Sequence, residues 1–356
     1  MKPLTSLCAL AALLLAACGG GSSNTMQYMT PPPTQPPVVT TTFTATSLVS
    51  DTSGAAHADQ HLINAWGLAF NPTAYVWVAN NGTSTSTLYD GNGVPQSLVV
   101  ATPDAPTGIV YNGSSAAFRG SPFIFDTESG AIAAWSPAVD RNNAVKIVDN
   151  SSKGAVYKGL ALAAYNGVSY LYAADFHNKR IDVFDANFAA AAMPGNFSDP
   201  MLPAGYAPFG IQAIGDRIYV AYAQRASSGD DEVAGAGLGA VDVFDTAGML
   251  VKRLVLGGAL NAPWGMALAP ANFGSFSGKL LVANFGDGKI NAYDPATGAS
   301  AGVLSKTGGD AIVIDGLWGI AFGNGVNSQP ANTLFYTAGP ADEAHGLYGR
   351  IDMNAN

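Results

Sequence analysis

Six times along this chain one residue, usually aromatic, precedes a glycine that opens an alternating apolar run. The copies are Trp66-Gly67-Leu68-Ala69-Phe70, Thr107-Gly108-Ile109-Val110-Tyr111, Lys158-Gly159-Leu160-Ala161-Leu162, Phe209-Gly210-Ile211-Gln212-Ala213, Trp264-Gly265-Met266-Ala267-Leu268 and Trp318-Gly319-Ile320-Ala321-Phe322. Successive glycines stand 41, 51, 51, 55 and 54 residues apart. Strand-like content at such a period marks a β-propeller, one four-stranded blade per repeat. A second apolar strand follows each glycine strand, at residues 75–79, 122–125, 169–173, 217–221, 279–283 and 333–337. A third often ends in aromatic-Asp, as in Leu88-Tyr89-Asp90, Val183-Phe184-Asp185, Val243-Phe244-Asp245 and Ala292-Tyr293-Asp294. A fourth ends the blade, as in Ser97-Leu98-Val99-Val100. The sixth repeat has only three such strands, and residues 47–50 read like 97–100. The pattern therefore predicts an all-β, six-bladed propeller whose N-terminal strand closes the last blade and removes a free edge. The glycine is expected to let backbones approach at the crowded axis. The aromatic before it is expected to pack between blades.

Charge excludes one class of partner. Of 356 residues only 12% are charged, with a formal net charge of −9. No basic run offers the phosphate contacts that nucleic acid requires, so no nucleic-acid partner is expected. Glycine (42) and proline (21) are plentiful, which suits many short strands joined by tight turns.

The front of the chain reads as an address. Lys2 precedes an apolar stretch at residues 4–15, too short to span a bilayer, ending in Leu15-Ala16-Ala17-Cys18. That ending resembles the lipobox of bacterial lipoproteins, in which the Cys carries diacylglycerol. The expected organisation is a signal peptide at 1–17, a lipid-anchored Gly/Ser/Pro/Thr tether at 18–42, and the propeller at 43–356. The only other cysteine, Cys8, would leave with the signal. Gly19, in place of the Asp associated with inner-membrane retention, favours the outer membrane. The expected location is the cell envelope, with the membrane as partner through the lipid.

The repeat resembles the NHL type, the six-bladed class shared in outline with gluconolactonase- and paraoxonase-like enzymes. More closely, the chain resembles a family of exported bacterial proteins. The matching segments include Asn64-Ala65-Trp66-Gly67-Leu68, Tyr172-Ala173-Ala174-Asp175-Phe176, Gly205-Tyr206-Ala207-Pro208-Phe209-Gly210, Asn261-Ala262-Pro263-Trp264-Gly265, Asn284-Phe285-Gly286-Asp287-Gly288 and His345-Gly346-Leu347, spanning residues 64 to about 350. That resemblance implies fold and export rather than an activity.

Catalytic signatures such as HExxH, GxSxG, SxxK and the P-loop do not occur. Candidate residues gather in the turns after the second strands: Asn80, Asp126, Asp175, His177, Asn284, Glu343 and His345. Oxygen ligands from scattered loops suit Ca²⁺, with Asp175 as first carboxylate and Asn284 and Asn80 at matching places. Enzymes of the resembling class use such an ion to polarise a lactone carbonyl. The same residues are also ordinary turn formers. His177 and His345 are candidate bases, and His57 with His61 reads as a solvated entry loop. Trp66, Trp264 and Trp318 could stack on a ligand, although packing suits their repeat position better. Two readings stay open: a monomeric binding or scaffolding propeller for an unknown ligand or envelope protein, or a Ca²⁺-dependent lactone or ester hydrolase with its site on the axis.

Overall fold

The computed structural model describes residues 41–355. Every regular element in them is a β-strand or a short 3-10 turn, and the sheets build an all-β propeller. The strands begin where the repeat put them. The glycine strands are Ala65–Phe70, Pro106–Tyr111, Tyr157–Tyr165, Tyr206–Ile214, Pro263–Leu268 and Leu317–Phe322. Each is followed by an antiparallel partner, Val76–Asn80, Phe123–Thr127, Val168–Asp175, Arg217–Gln224, Leu280–Asn284 and Leu334–Ala338. The glycine strands lie innermost and line a narrow axial cavity of about 40 Å³.

One irregularity recurs in every inner strand. The register slips between Ala65 and Leu68, Pro106 and Ile109, Tyr157 and Leu160, Pro208 and Gly210, Pro263 and Met266, and Leu317 and Ile320. The slip falls at the residue-glycine pair of the repeat. A bulge of this kind kinks the strand and re-aims the side chain it carries. It also brings one inner backbone against the next. A methyl group on Gly67 would stand 2.5 Å from the Thr107 carbonyl oxygen, and one on Gly319 would stand 2.6 Å from that of Trp66. The second contact returns the last inner strand to the first.

The strand expected to close the ring is present. Phe43–Ser50 pairs antiparallel with Leu347–Met353, from Phe43 opposite Met353 to Ser50 opposite Leu347. Its Leu48 and Val49 are buried against Val76, Tyr89 and Tyr348. The expected tether boundary at residue 42 needs correction. Thr41 is buried, and its hydroxyl accepts the Ser275 N–H, while the Thr42 carbonyl accepts the Asn354 N–H. Both threonines belong to the folded body. Residues 1–17, Cys18 and the rest of the expected tether through residue 40 lie outside the described residues.

The fourth strands are the least regular. The predicted strand at 97–100 is reduced to Val100–Ala101, and Asp140–Asp149 touches it at one pair, Asn143 with Ala101, joining eight strands into one sheet. The third sheet stops at three strands, Tyr157–Tyr165, Val168–Asp175 and Arg180–Phe184. The chain beyond it crosses to the neighbouring sheet instead. The Phe197 N–H bonds the Gly248 carbonyl, and its ring packs 5.4 Å from Tyr172 and 5.3 Å from Phe244.

Removal of residues 19–40 is expected to leave the melting temperature nearly unchanged. Removal of 19–50 should lower it by roughly 10 °C or more, because Phe43, Leu48 and Val49 leave buried positions worth about 1.5–3 kcal/mol each. Thermal unfolding of the two truncations, followed by circular dichroism, checks this. Equal melting temperatures would refute the closure.

Candidate functional site at the mouth of the axial channel

The bulges turn the residue before each glycine inward, and those residues meet one another. Trp66 and Trp318 stack with centroids 3.5 Å apart at 19°, and Trp264 stands edge-on to both, at 5.9 and 5.7 Å. Phe285 also stacks on Trp318, at 4.1 Å, and Phe209 lies 5.6 Å from it. These contacts join three different sheets, so the aromatics pack between blades as expected. They form a single layer, with Trp318 fully buried and Trp264 barely exposed. The physical reason is the bulge, which takes these side chains out of the ordinary alternation of the sheet faces.

One member of the column is a cation. Lys158 holds the position that Trp or Phe holds in four other repeats, and its ammonium lies 5.3, 5.4 and 5.7 Å from the rings of Trp66, Phe176 and Phe209. Such contacts favour a buried cation. Its side chain is 4% exposed, and Glu128 and Glu232 lie 3.2 and 3.4 Å from the ammonium. The lysine's backbone carbonyl also accepts the Trp264 indole N–H at 2.7 Å.

A hydrogen-bonded chain extends the cluster around the mouth. Asn81 donates to Glu128 at 2.9 Å, and Asn64 donates to Glu343 at 2.5 Å and to Asn81 at 3.3 Å. The Asn64 oxygen accepts the Trp318 indole N–H. Two carboxylates therefore contact the ammonium, and a third, Glu343, adds its charge from further away. Burial pulls the Lys158 pKa down, but Glu232 and Glu128 outweigh that, and it ends above the ordinary lysine value. Burial raises the carboxyls of Glu232 and Glu343 above the usual glutamate range. Their shifts reflect negative charge held in a partly dry site.

The residues expected to share an ion go to separate places. Both Asp175 oxygens are engaged: one accepts the Val156 and Asn178 N–H groups, the other the Asn178 side chain, with Arg180 3.5 Å away. Asn80 donates to Thr85 and Thr87 within its own sheet, and Asn284 donates to the Ala259 carbonyl and Asp287. The side-chain oxygens of Asn80 and Asn284 are buried without a partner, but no contact joins the two residues to Asp175. Each of these three side chains thus bonds within its own sheet or turn rather than to the other two. Among the described residues, no group of three or more His, Cys, Asp or Glu is placed to hold a metal.

The other candidates divide. Glu343 reaches the mouth. Asp126 lies fully buried beneath it, one oxygen accepting the Thr107 hydroxyl at 2.9 Å and the Gly108 N–H at 2.6 Å, the other without a partner. His177 is held by Asp230 at 2.7 Å, and Asp230 by Arg225 at 3.0 Å. His345 is held by Asp51 at 2.8 Å. His61, of the entry loop, is fixed by Asp59, which also accepts the Tyr89 hydroxyl. Sequence reasoning passed over Lys158, Glu128 and Asn64. The signal for Lys158 was a lysine in an otherwise largely aromatic column. Nothing local marked Glu128.

Burial raises the Asp126 pKa to about 7. Its unfolded value is near 3.9, so between those values the folded state binds a proton that the unfolded state lacks. Asp126 therefore favours folding at low pH, and that contribution is lost as pH rises through about 7. Asp126→Asn keeps an acceptor for Thr107 and Gly108. It is expected to flatten the decline of stability between about pH 4 and 8. Denaturant titrations across that range test it, and an unchanged slope in the variant would contradict the assignment.

No protein-family model matches the chain. Two proteins of Acanthamoeba polyphaga mimivirus are similar to it along most of their length. Uncharacterized protein R648 is 35% identical over 325 residues, covering 85% of this chain and 78% of that protein. Uncharacterized protein L690 is 32% identical over 320 residues, covering 83% and 82%. Among solved structures, virginiamycin B lyase from Staphylococcus aureus superposes with a TM-score of 0.51 at 13% identity, covering 88% of this chain and all of that one. A glucose dehydrogenase gives 0.54 at 14%, with the same coverage. At these identities the structural likeness is one of fold alone.

Proposed function

This chain belongs to the family of the mimivirus protein R648, and on that premise we propose that it is a binding propeller whose ligand presents an ammonium or guanidinium group to the mouth above Lys158. The supporting observation is the charge of that mouth. Glu128 and Glu232 contact a single buried ammonium, Glu343 adds its charge nearby, and one oxygen of Glu232 and one of Glu343 have no hydrogen-bond partner among the described residues. A second cation would relieve the excess, and the aromatic layer beneath gives it an apolar floor. Lys158 occupies the centre, so an incoming group would sit at the rim rather than enter the channel.

The reading includes six blades. The eight-stranded sheet divides at the lone Asn143–Ala101 pair into two four-stranded blades, and Phe43–Ser50 completes the blade of Leu317–Phe322. It also includes export and lipid anchoring through Cys18 in a cell envelope, as a monomer displayed towards an envelope ligand or protein. The Leu15-Ala16-Ala17-Cys18 motif supports the anchoring.

Calorimetric titration with Nα-acetylarginine amide, whose one charge is its guanidinium, and with the neutral Nα-acetylcitrulline amide tests the ligand class. The first is expected to bind the wild type at least tenfold more tightly than Glu343→Gln, and the second to give no heat. Silence from both probes would remove the cation-binding reading. For the anchor, Cys18→Ser expressed in a lipoprotein-processing bacterium should move the protein from the membrane to the soluble fraction. Membrane retention of that variant would overturn lipidation.

A further inference from the structure

We propose that the outer edge of Arg180–Phe184 is a second binding surface, which takes an extended acidic segment of a partner polypeptide as an added strand. In the first and fifth repeats a further strand covers this position, Val100–Ala101 beside Thr85 and Ser86, and Ser300–Val303 beside Asn291 to Tyr293. In the third sheet the returning chain makes one bridge, Phe184 with Ala190, and then leaves for the neighbouring sheet.

The bridge fixes which backbone groups face outwards. The Val183 carbonyl accepts the Ala191 N–H, and the Asp185 N–H donates to the Ala189 carbonyl. Within a strand the N–H and C=O of one residue share a side, and the side alternates along the chain. The Val183 N–H and both polar groups of Ile181 therefore face outwards, while Asp182 and Phe184 bond inwards to Val168–Asp175. The three outward groups have no hydrogen-bond partner among the described residues. Along them runs a slot of about 150 Å³, walled by Asn150 and Lys153 and ended by Ala190 and Ala191. An open edge with a slot beside it is the geometry of strand addition, in which main-chain bonds give affinity and the flanking side chains give choice of partner.

Charge selects the partner. Lys153, Lys179 and Arg180 gather at the start of this edge in a chain of net charge −9. Arg180 is answered by Asp182 at 2.6 Å, but the Lys153 ammonium meets only the Asn150 oxygen, and Lys179 has no acid partner among the described residues. Acidic residues near the end of an incoming strand would complement them.

The test uses the folded protein and a synthetic octapeptide of alternating valine and threonine with two aspartates at one end. Two controls replace the aspartates by lysines or place proline at the centre. The acidic peptide is expected to bind, read by fluorescence anisotropy, and to slow amide exchange at Ile181 and Val183 at least tenfold. Lys153→Glu with Lys179→Glu should weaken binding at least tenfold at low salt. Val183→Pro removes one outward N–H that the ladder to Val168–Asp175 does not use, and should abolish binding; because Val183 is buried, Val183→Ala, which loses the packing but keeps the N–H, is the control and should still bind. Unchanged exchange at Ile181 and Val183, or equal binding of the lysine peptide, would overturn the proposal. Slowed exchange that depends on protein concentration without peptide would overturn it in favour of a second copy. None of these residues belongs to the mouth around Lys158, so this result and the cation titration fail or succeed separately.

Discussion

The structure depends on how closely one inner backbone approaches the next. At the residue-glycine pair each inner strand slips its register, and at Gly67 and Gly319 there is no room for a Cβ against the neighbouring carbonyl. A protein interior resists added volume because it is packed as densely as an organic crystal. The repeat therefore keeps glycine where it must, and spends the adjacent position on a large side chain. The bulge that makes the approach possible also swings that side chain onto the axis. The aromatic layer, the narrow channel beneath it and the position of Lys158 all follow from one local distortion repeated around the ring.

Lys158 shows what a single departure from the repeat can do. In a column otherwise given largely to Trp and Phe, a lysine must bring counter-charges with it, because an unpaired ammonium in such a place is costly. Glu128 and Glu232 come from different sheets to meet it, and the ring of Trp66 takes part of its field. Replacing a pair of this kind by apolar groups is often harmless, whereas removing one partner is not. A mixed cluster kept at a position where an aromatic side chain would fit is thus hard to explain by stability alone.

Much of the fold was legible in the sequence, because period, glycine and alternating apolar residues are written locally. Phe43–Ser50 could be matched to the incomplete last repeat for the same reason. The fourth strands were less legible: they are short, and the third is replaced by a crossing governed by Phe197 against Tyr172 and Phe244, partners distant in sequence. The site was legible only in part. Asn80, Asp175 and Asn284 do end their second strands, but local partners take the amide donors of the two asparagines and both Asp175 oxygens, while the Asn80 and Asn284 oxygens stay buried without a partner. Glu343 was found by position. Glu128 acquires meaning only through Lys158, and that pairing joins adjacent repeats across the mouth, beyond the reach of any spacing rule.

The pairing of Phe43–Ser50 with Leu347–Met353 has a consequence for the order of events during synthesis. Among the described strands Phe43–Ser50 emerges first, and its ladder partner Leu347–Met353 emerges after all the others. Contacts this remote in sequence form slowly, since the intervening chain must be ordered before they repay the loop they close. Until then Leu48 and Val49 have no Tyr348 to cover them, and the strand is an apolar segment in search of an edge. The same pairing that joins the first and last described strands makes the nascent chain depend on whatever shields Phe43–Ser50 until Leu347–Met353 arrives.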